Sequence, residues 1–489
     1  MHKRHQHHLR LALATATAAA LTGGLLTLAA TTATAAGSTH AYKADFNGDG
    51  YGDVAFAAPY AKVDGKGMAG YVAVVYGSST GLNPAKRTVV SQNTTGVPGT
   101  AEVEDGFGRA LAVADLNGDG YTDLAVGAPG EDVGTDVDGG SVTVLWGSSG
   151  GLKNGTTVKD PAASAHDQWG RGLTAGDFNG DGRADLAVAT GSSHAYVVKG
   201  RFTASGTTGG TQKITLPEQA LFGIDAMKAG DTNGDKKADL VLTYRARLDS
   251  DRSGSWSKGV AYLGTAAGPD TAAGRPLNGG TSIALGDING DGYDEIALGN
   301  VFAKEDDHSG SLGGKVTVIR GSAGGPVNGD APMAELTQAS EGVPGTDEEN
   351  DGFGGSVSIA DVNGDGYGEL AIGVPFEDIG TKEDTGTTVV MAGWSLTGGR
   401  SPISQDTYGV PGAPESMDYF GSDVLLSDVN KDGHPDFTVA ATFEDEGVGA
   451  ITALLGSSGG ITTTGARSFG PGSLGQSRTY GSFGTNLIG

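Results

Sequence analysis

The chain has 489 residues, 58 acidic and 32 basic side chains for a formal net charge of −26, 87 glycines and no cysteine. This charge repels nucleic acids and anionic membranes, which argues against both as partners. Without cysteine no disulfide can stabilise the fold, so another stabilising element is expected.

The N-terminus is typical of a secretory signal peptide. Residues 2–10 are basic, residues 11–30 form an apolar run, and small residues follow up to Ala35 and Ala36. A membrane anchor is the alternative, but the run is weakly hydrophobic and rich in threonine. We therefore predict a signal peptide over residues 1–36 and a secreted, extracellular mature protein over 37–489. Removal of the peptide takes away three basic residues and changes the net charge to −29. No second apolar run of spanning length follows, so membrane insertion is not expected.

A nine-residue acidic loop recurs seven times along the rest of the chain. The second copy reads DLNGDGYTD from Asp115, and the starts of successive copies lie 54 to 74 residues apart. Such spacing suits a four-stranded unit with loops of variable length. Length alone suggests about three domains, but the repeats favour a single domain.

Short apolar segments surround each loop and predict strands. Around the second copy, residues 111–114 precede the loop, residues 123–129 follow it, and Val142–Trp146 comes next. Their short alternating patterns are typical of strands, and no stretch has a convincing helical period. The unit is therefore an antiparallel meander. Seven units predict an all-β, seven-bladed β-propeller over residues 37–489.

Each loop presents oxygen donors at fixed positions, which indicates a metal site. Positions 1, 3, 5 and 9 carry side-chain oxygens, and position 7 offers a carbonyl. A hard cation such as calcium takes six to eight oxygen ligands. We predict up to seven structural calcium ions, held by Asp45, Asn47, Asp49, Tyr51, Asp53; Asp115, Asn117, Asp119, Tyr121, Asp123; Asp177, Asn179, Asp181, Arg183, Asp185; Asp231, Asn233, Asp235, Lys237, Asp239; Asp287, Asn289, Asp291, Tyr293, Glu295; Asp361, Asn363, Asp365, Tyr367, Glu369; and Asp428, Asn430, Asp432, His434, Asp436.

The loops have two other interpretations. An EF-hand needs a glutamate at position 12, and all seven loops have an apolar residue there, which excludes it. A metal-free Asn-Gly or Asp-Gly turn explains a single loop but not three carboxylates repeated seven times. Like charges about 4 Å apart repel by roughly 1 to 4 kcal/mol, depending on the dielectric, so calcium is expected to stabilise the fold rather than catalyse. Lys236 replaces the usual glycine at position 6 of the fourth loop, which makes that site the weakest prediction.

Two short motifs accompany the loops and resemble a known family. Phe-Gly or Trp-Gly pairs stand at 107–108, 169–170, 222–223, 353–354 and 420–421, and Ala-Ala-Pro, Gly-Ala-Pro and Gly-Val-Pro at 57–59, 127–129 and 373–375. This pattern resembles the FG-GAP repeats of the integrin α-subunit propeller and its bacterial relatives. The resemblance implies a non-enzymatic binding or adhesion module for an extracellular protein or glycan. Leg domains and a transmembrane helix of integrin α-subunits are not found here, so heterodimerisation is not implied and a monomer is expected.

Enzymatic interpretations find little support in the sequence. Gly-x-Ser-x-Gly occurs at 77–81, 147–151 and 456–460, but because it recurs at one place in several units we predict a hairpin turn, not a nucleophile. The five mature histidines are expected to be solvated. A calcium-dependent lectin is the second hypothesis, although the four tryptophans follow no fixed register. A polysaccharide lyase is third and lacks clustered basic residues.

The chain ends predict how the ring closes. The first loop has no Phe-Gly strand before it, whereas Phe483-Gly484 lies near the C-terminus. We therefore expect the C-terminal strand to complete the first blade, which removes exposed sheet edges. The connections opposite the metal loops are acidic in several blades, including Glu131, Asp132, Glu377 and Asp378. Solvated charge is one explanation, and capture of a basic or cation-bridged partner is the other.

Overall fold

The computed structural model describes residues 44–247, 255–304, 306–327, 332–397 and 402–489. The predicted signal peptide lies outside these ranges. Within them, no helix has the length and apolar character needed to cross a membrane.

Over the described ranges, the chain forms seven antiparallel meanders, each of which is one blade of a β-propeller. Blades one to three consist of β1 (Val54–Ala58), β2 (Tyr71–Val75) and β3 (Arg87–Val90); β4 (Ala110–Ala114), β5 (Asp123–Ala128), β6 (Ser141–Trp146) and β7 (Lys153–Thr157); and β8 (Gly172–Gly176), β9 (Asp185–Ala189), β10 (His194–Val198) and β11 (Thr211–Thr215). Blade one also includes the last strand of the chain, β29 (Thr485–Ile488).

The remaining blades follow the same order with small departures. They consist of β12 (Ala220–Gly230), β13 (Asp239–Arg247), β14 (Ser255–Tyr262) and β17 (Arg275–Asn278), with the short hairpin β15 (Gly264–Thr265) and β16 (Gly268–Pro269); β18 (Ser282–Gly286), β19 (Glu295–Asn300), β20 (Lys315–Ile319) and β21 (Ala334–Leu336); β22 (Val357–Ala360), β23 (Glu369–Val374) and β24 (Thr387–Met391); and β25 (Phe420–Ser427), β26 (Asp436–Ala441), β27 (Ala450–Leu455) and β28 (Thr462–Phe469). Helical structure in the described ranges is limited to the single turns Ala163–Ala165, Glu444–Gly447 and Pro471–Leu474.

Seven innermost strands line the channel of the propeller, because β29, β4, β8, β12, β18, β22 and β25 contact one another in that circular order. The core lies between neighbouring blades, where apolar side chains of the strands pack together. The apolar residues at position 12 of the acidic loops are all buried, at 0 to 1% exposure: Phe56, Val126, Val188, Leu242, Leu298, Ile372 and Val439. Their burial explains why these positions carry no metal-ligating glutamate.

The C-terminal strand pairs with the first strand of blade one. β29 pairs with β1 through Ala55–Ile488 and Ala57–Thr485, as the C-terminal segment predicts. The ring of Phe483 lies 4.8 Å from that of Phe56. The side-chain amide of Asn486 donates to the carbonyl oxygens of Gly108 and Arg109 at 2.8 and 2.9 Å, which connects blade one to blade two.

The Phe-Gly elements begin the innermost strands, and one of them differs from the others. Phe107, Trp169, Phe353 and Phe420 are at most 1% exposed, whereas Phe222 in blade four is 53% exposed. Glycine is required after the aromatic residue because φ is positive there; a Cβ on Gly108 would lie 2.6 Å from that of Ala57.

Strand direction separates two faces. Six of the seven innermost strands start at or near a Phe-Gly or Trp-Gly element, at the opposite end of the blade from the acidic loop; β18 of blade five lacks this element. We call the side with the nine-residue loops the loop face and the side with the Phe-Gly elements the connection face. Links between second and third strands also reach the connection face, as the meander predicts.

The Gly-x-Ser-x-Gly segments are turns on the loop face, as predicted. The hydroxyl groups of Ser78, Ser148 and Ser457 each donate to the carbonyl oxygen three residues later at 2.7 Å. The predicted solvation of the histidines is wrong for His166, which is buried with its ring 6.0 Å from Trp169 and 5.4 Å from Tyr196.

Candidate metal loops

The acidic loops share one hydrogen-bonded scaffold, built by their own side chains. In the first loop, Asp45 accepts the backbone N–H groups of Asp49 and Gly50 at 3.1 and 2.8 Å. Asn47 accepts the N–H of Asp49 at 2.8 Å, and Asp49 accepts that of Tyr51 at 3.0 Å. Contacts between the position-1 aspartate and the N–H groups at positions 5 and 6 recur in all seven loops. The loop backbone is therefore wrapped around the carboxylate at position 1.

Position 9 has a second task that sequence reasoning missed. Both oxygens of Asp123 accept backbone N–H groups, from Leu116 at 3.0 Å and from Gly147 at 2.8 Å. Gly147 opens the turn between the third and fourth strands, so this buried carboxylate joins the loop to that turn. Asp53 and Asp436 make the equivalent pairs of bonds. Position 9 is thus part of the scaffold whether or not a cation is present.

The carboxylates at position 9 sit in an environment that disfavours their charge. Burial raises the pKa of Asp123 to about 8; the N–H groups of Gly147 and Leu116 oppose the shift, and the charges of Asp119 and Asp115 add to it. The same causes raise the pKa of Glu295 to about 8 and that of Asp53 to about 7. A bound cation would relieve this repulsion.

The donor set fits a hard cation, since every predicted side-chain donor is an oxygen of Asp, Glu or Asn. Within the ranges that the structure describes, no three Asp, Glu, His or Cys side chains are grouped closely enough to hold a metal ion by themselves. Coordination would therefore rely on the amide oxygen at position 3 and the carbonyl at position 7 as well as the carboxylates. In the fourth loop, the ammonium of Lys237 lies 3.0 Å from Asp235, so a cation of the chain already neutralises one donor.

Position 7 connects six of the seven loops to the preceding loop, a role that the sequence pattern did not suggest. A Cβ on Gly48 would lie 2.6 Å from the ring of Tyr121 in the next blade. The loops of blades four to seven contact the preceding loop in the same way, through Lys237, Tyr293, Tyr367 and His434. Blade one completes the series, because Lys431 of the seventh loop lies over the ring of Tyr51 at 5.9 Å. The prevalence of tyrosine at position 7 was the available signal.

The acids of the connection face are partly built into the fold. The amide groups of Gln92, Gln338 and Gln405 donate to Glu131, Glu377 and Glu444, always 39 residues later. Burial raises the pKa of Glu131 to about 7, opposed by the bond from Gln92. Each glutamine belongs to a repeated segment ending in Gly-Val-Pro-Gly, at 91–99, 337–345 and 404–412. That repeat was the signal that could have identified these pairs.

Comparison with known proteins gives a family match for six of the seven blades. The family model described as "FG-GAP repeat" matches residues 42–75, 107–145, 169–205, 279–319, 353–391 and 420–454. The unmatched stretch contains blade four, where Phe222 is exposed and Lys236 replaces the loop glycine.

Individual relatives match over shorter stretches. Phosphatidylinositol-glycan-specific phospholipase D of Mus musculus is 38% identical over 148 residues, which is 30% of this chain and 17% of that protein. Integrin alpha-E of Mus musculus is 38% identical over 118 residues, 23% of this chain and 10% of the integrin. Integrin alpha-PS5 of Drosophila melanogaster is 28% identical over 218 residues, 42% and 20% respectively. The chain thus spans a fifth or less of these relatives.

Proposed function

Since the chain is a β-propeller of FG-GAP repeats, we propose that it is a secreted, calcium-dependent binding module without enzymatic activity. The observation that carries this proposal is the repeated loop: seven oxygen-rich loops with one scaffold and a mutual repulsion that a cation would relieve. Calcium would be held by the residues at positions 1, 3, 5, 7 and 9 of each loop and would neutralise their charges.

Secretion is proposed from the signal-peptide pattern of residues 1–36. The absence of cysteine adds to the case for calcium, because an exported chain without disulfides needs another source of stability. Ligand at ten times its dissociation constant stabilises by about 1.4 kcal/mol per site, so several weak sites together are comparable with a typical folding free energy.

The absence of catalysis is likewise a proposal. Support comes from the Gly-x-Ser-x-Gly segments, which form turns between strands, held by the hydroxyl of the serine before the motif serine, and not the strand-to-helix turn that a serine nucleophile needs. The phospholipase named above matches over 17% of its length, so its activity is not transferred to this chain.

The connection face is the proposed partner surface. Its exposed acids include Glu102, Glu104, Glu348 and Glu349, which are free to meet a basic or cation-bridged partner. Glu131 and Glu377 suit this role less well than the sequence suggested, since they accept hydrogen bonds from glutamines. A calcium-dependent lectin is the alternative; the exposed rings of Trp256, Trp394 and Tyr408 lie in different settings rather than on a repeated platform.

The experiment is retention of labelled protein on intact cells and on a glycan array, with calcium and with EGTA. We expect retention in calcium that EGTA abolishes. Changing Glu102, Glu104, Glu348 and Glu349 to glutamine should reduce retention without changing calcium-dependent melting. Equal retention with and without calcium, or none on either target, would contradict the proposal.

A further inference from the structure

A cavity of about 260 Å³ opens on the connection face, where blades one to four meet near the channel. Its lining includes Tyr60, Arg109, Gln168, Arg171 and Asp225. This volume is small for a drug-sized ligand, whose pockets usually measure about 300–1,000 Å³, and suits a single chemical group or a small molecule.

Two arginines occupy equivalent positions in this cavity. Arg109 and Arg171 each follow the glycine of a Phe-Gly or Trp-Gly element, in neighbouring blades. Arg109 lies over the ring of Tyr60, 5.2 Å from its centroid, and donates to the Tyr60 hydroxyl. Arg171 donates to the side-chain oxygen of Gln168 at 2.8 Å. Both guanidinium groups are thus held by neutral partners.

In the described part of the chain, neither of these two guanidinium groups forms a close ion pair, although the protein is acidic. Among the residues that the structure describes, no carboxylate oxygen lies within 4 Å of a nitrogen of either guanidinium, whereas five other Lys and Arg side chains have such a partner. Burial lowers the pKa of Arg171, and the charges of Arg109 and Arg245 lower it further, against an opposing effect of Asp225. Positive charges therefore repel one another at this cavity, an arrangement that an anion would stabilise.

Neighbouring acids restrict which anion fits. Asp225 is buried and lies 3.5 Å from Arg245, and its Oδ1 atom has no hydrogen-bond partner in the described part of the chain. Glu104, Asp105 and Asp138 also line the cavity. A second negative charge on the ligand would be repelled by these carboxylates. An N–H or O–H group next to the ligand's first negative charge could instead donate a hydrogen bond to one of them.

We propose that this cavity binds one free carboxylate of a ligand that carries an N–H or O–H donor next to it and no other negative charge. Arg109 and Arg171 hold the carboxylate, and Asp225 accepts the neighbouring donor. Peptide C-termini and single uronic acids share this chemistry; a polyuronate, with a charge on every sugar, is disfavoured by the charge of the protein. This inference rests on the proposed binding function and names a ligand class for its connection face.

The test uses calcium-loaded protein and small probes, with binding followed by ligand-observed NMR titration. N-acetylglycine represents a peptide C-terminus and D-glucuronate a sugar acid; N-acetylglycinamide and D-glucose are their uncharged counterparts. We expect at least one acid to bind saturably and at least tenfold more tightly than its counterpart, because charge-assisted hydrogen bonds are the stronger ones. Binding of N-acetylglycine alone, glucuronate alone or both supports the site and identifies the source. Binding of neither acid above its counterpart overturns it.

The double variant Arg109→Gln/Arg171→Gln should bind the acid at least tenfold more weakly than the parent does. Arg320→Gln is the control, since Arg320 is exposed at the opposite end of a blade, and it should bind as the parent does. A double variant that binds like the parent refutes the assignment. A second experiment needs no variant and follows modification of the parent by phenylglyoxal with mass spectrometry. The bound acid should reduce modification of Arg109 and Arg171 but not of Arg320. An acid that changes the modification of all three arginines equally refutes the site. Retention on cells without carboxylate binding would refute this site alone, whereas carboxylate binding without retention would refute the partner-binding role.

Discussion

Replacing Phe483 with alanine tests whether the C-terminal segment stabilises the propeller. Phe483 is 1% exposed, and its ring lies 4.8 Å from Phe56 and 6.4 Å from Phe469. Truncation of a buried phenylalanine costs about 3–5 kcal/mol. A typical domain has a total stability of about 5–15 kcal/mol, so we expect about a third of the free energy of unfolding to be lost.

Phe222→Ala is the matched control, because Phe222 stands in the same motif of blade four but is 53% exposed. Its contact with Arg245, whose guanidinium lies 4.6 Å from the ring, is worth about 0.5–1 kcal/mol at a partly exposed site. Urea unfolding of both variants in excess calcium, with tryptophan fluorescence as the signal, measures the difference. Equal losses in the two variants, or a Phe483→Ala midpoint unchanged from the parent, would refute the reasoning. Deleting residues 481–489 should have a larger effect and promote aggregation, since the edge of β1 becomes exposed.

Three further predictions concern the loops. Exhaustive EGTA dialysis should lower the melting temperature markedly, and added calcium should restore it, while elemental analysis measures the bound metal. An unchanged melting temperature in protein free of metal would exclude structural calcium. Asp123→Asn should destabilise by about 1–3 kcal/mol even in EGTA because a backbone N–H loses its acceptor, whereas Asp119→Asn should reduce only the calcium-dependent increment; identical behaviour of the two would contradict the double role of position 9. Gly48→Ala should destabilise more than Gly118→Ala, since both have positive φ but only the first Cβ meets Tyr121, and equal melting temperatures would show that this contact contributes nothing.

The fold was predictable because its signals are local and repeated. Seven recurring loops and the short alternating apolar segments around them predicted seven blades, and Phe483-Gly484 predicted the pairing of β29 with β1. The exposure of Phe222 was not predictable, since the Phe-Gly pair is present in the sequence without its usual packing. Burial of His166 depends on Trp169 and Tyr196, the latter in the third strand of the blade, a tertiary arrangement that no local pattern reveals.

The candidate sites could also be predicted from the sequence only in part. Donors at positions 1, 3, 5 and 9 follow from the loop pattern, and calcium itself stays a prediction. The second task of Asp123 could not be predicted, because Gly147 is 24 residues away and reaches it only through the blade. Arg109 and Arg171 are 62 residues apart in the sequence and line one cavity only because neighbouring innermost strands begin side by side.

The position-7 contacts between successive loops run around the propeller and are interrupted once, between the second and third loops. Gly118 of the second loop has nothing within 4 Å of its Cβ position, and Arg183 of the third loop is exposed instead of covering it. The seven loops therefore form a line that runs from the third through the seventh and first to the second. Each inner loop makes the position-7 contact on two sides and each terminal loop on one, so disorder on removal of the cation should begin at the second and third loops and spread inward. Hydrogen exchange at these loops during chelation would reveal the order.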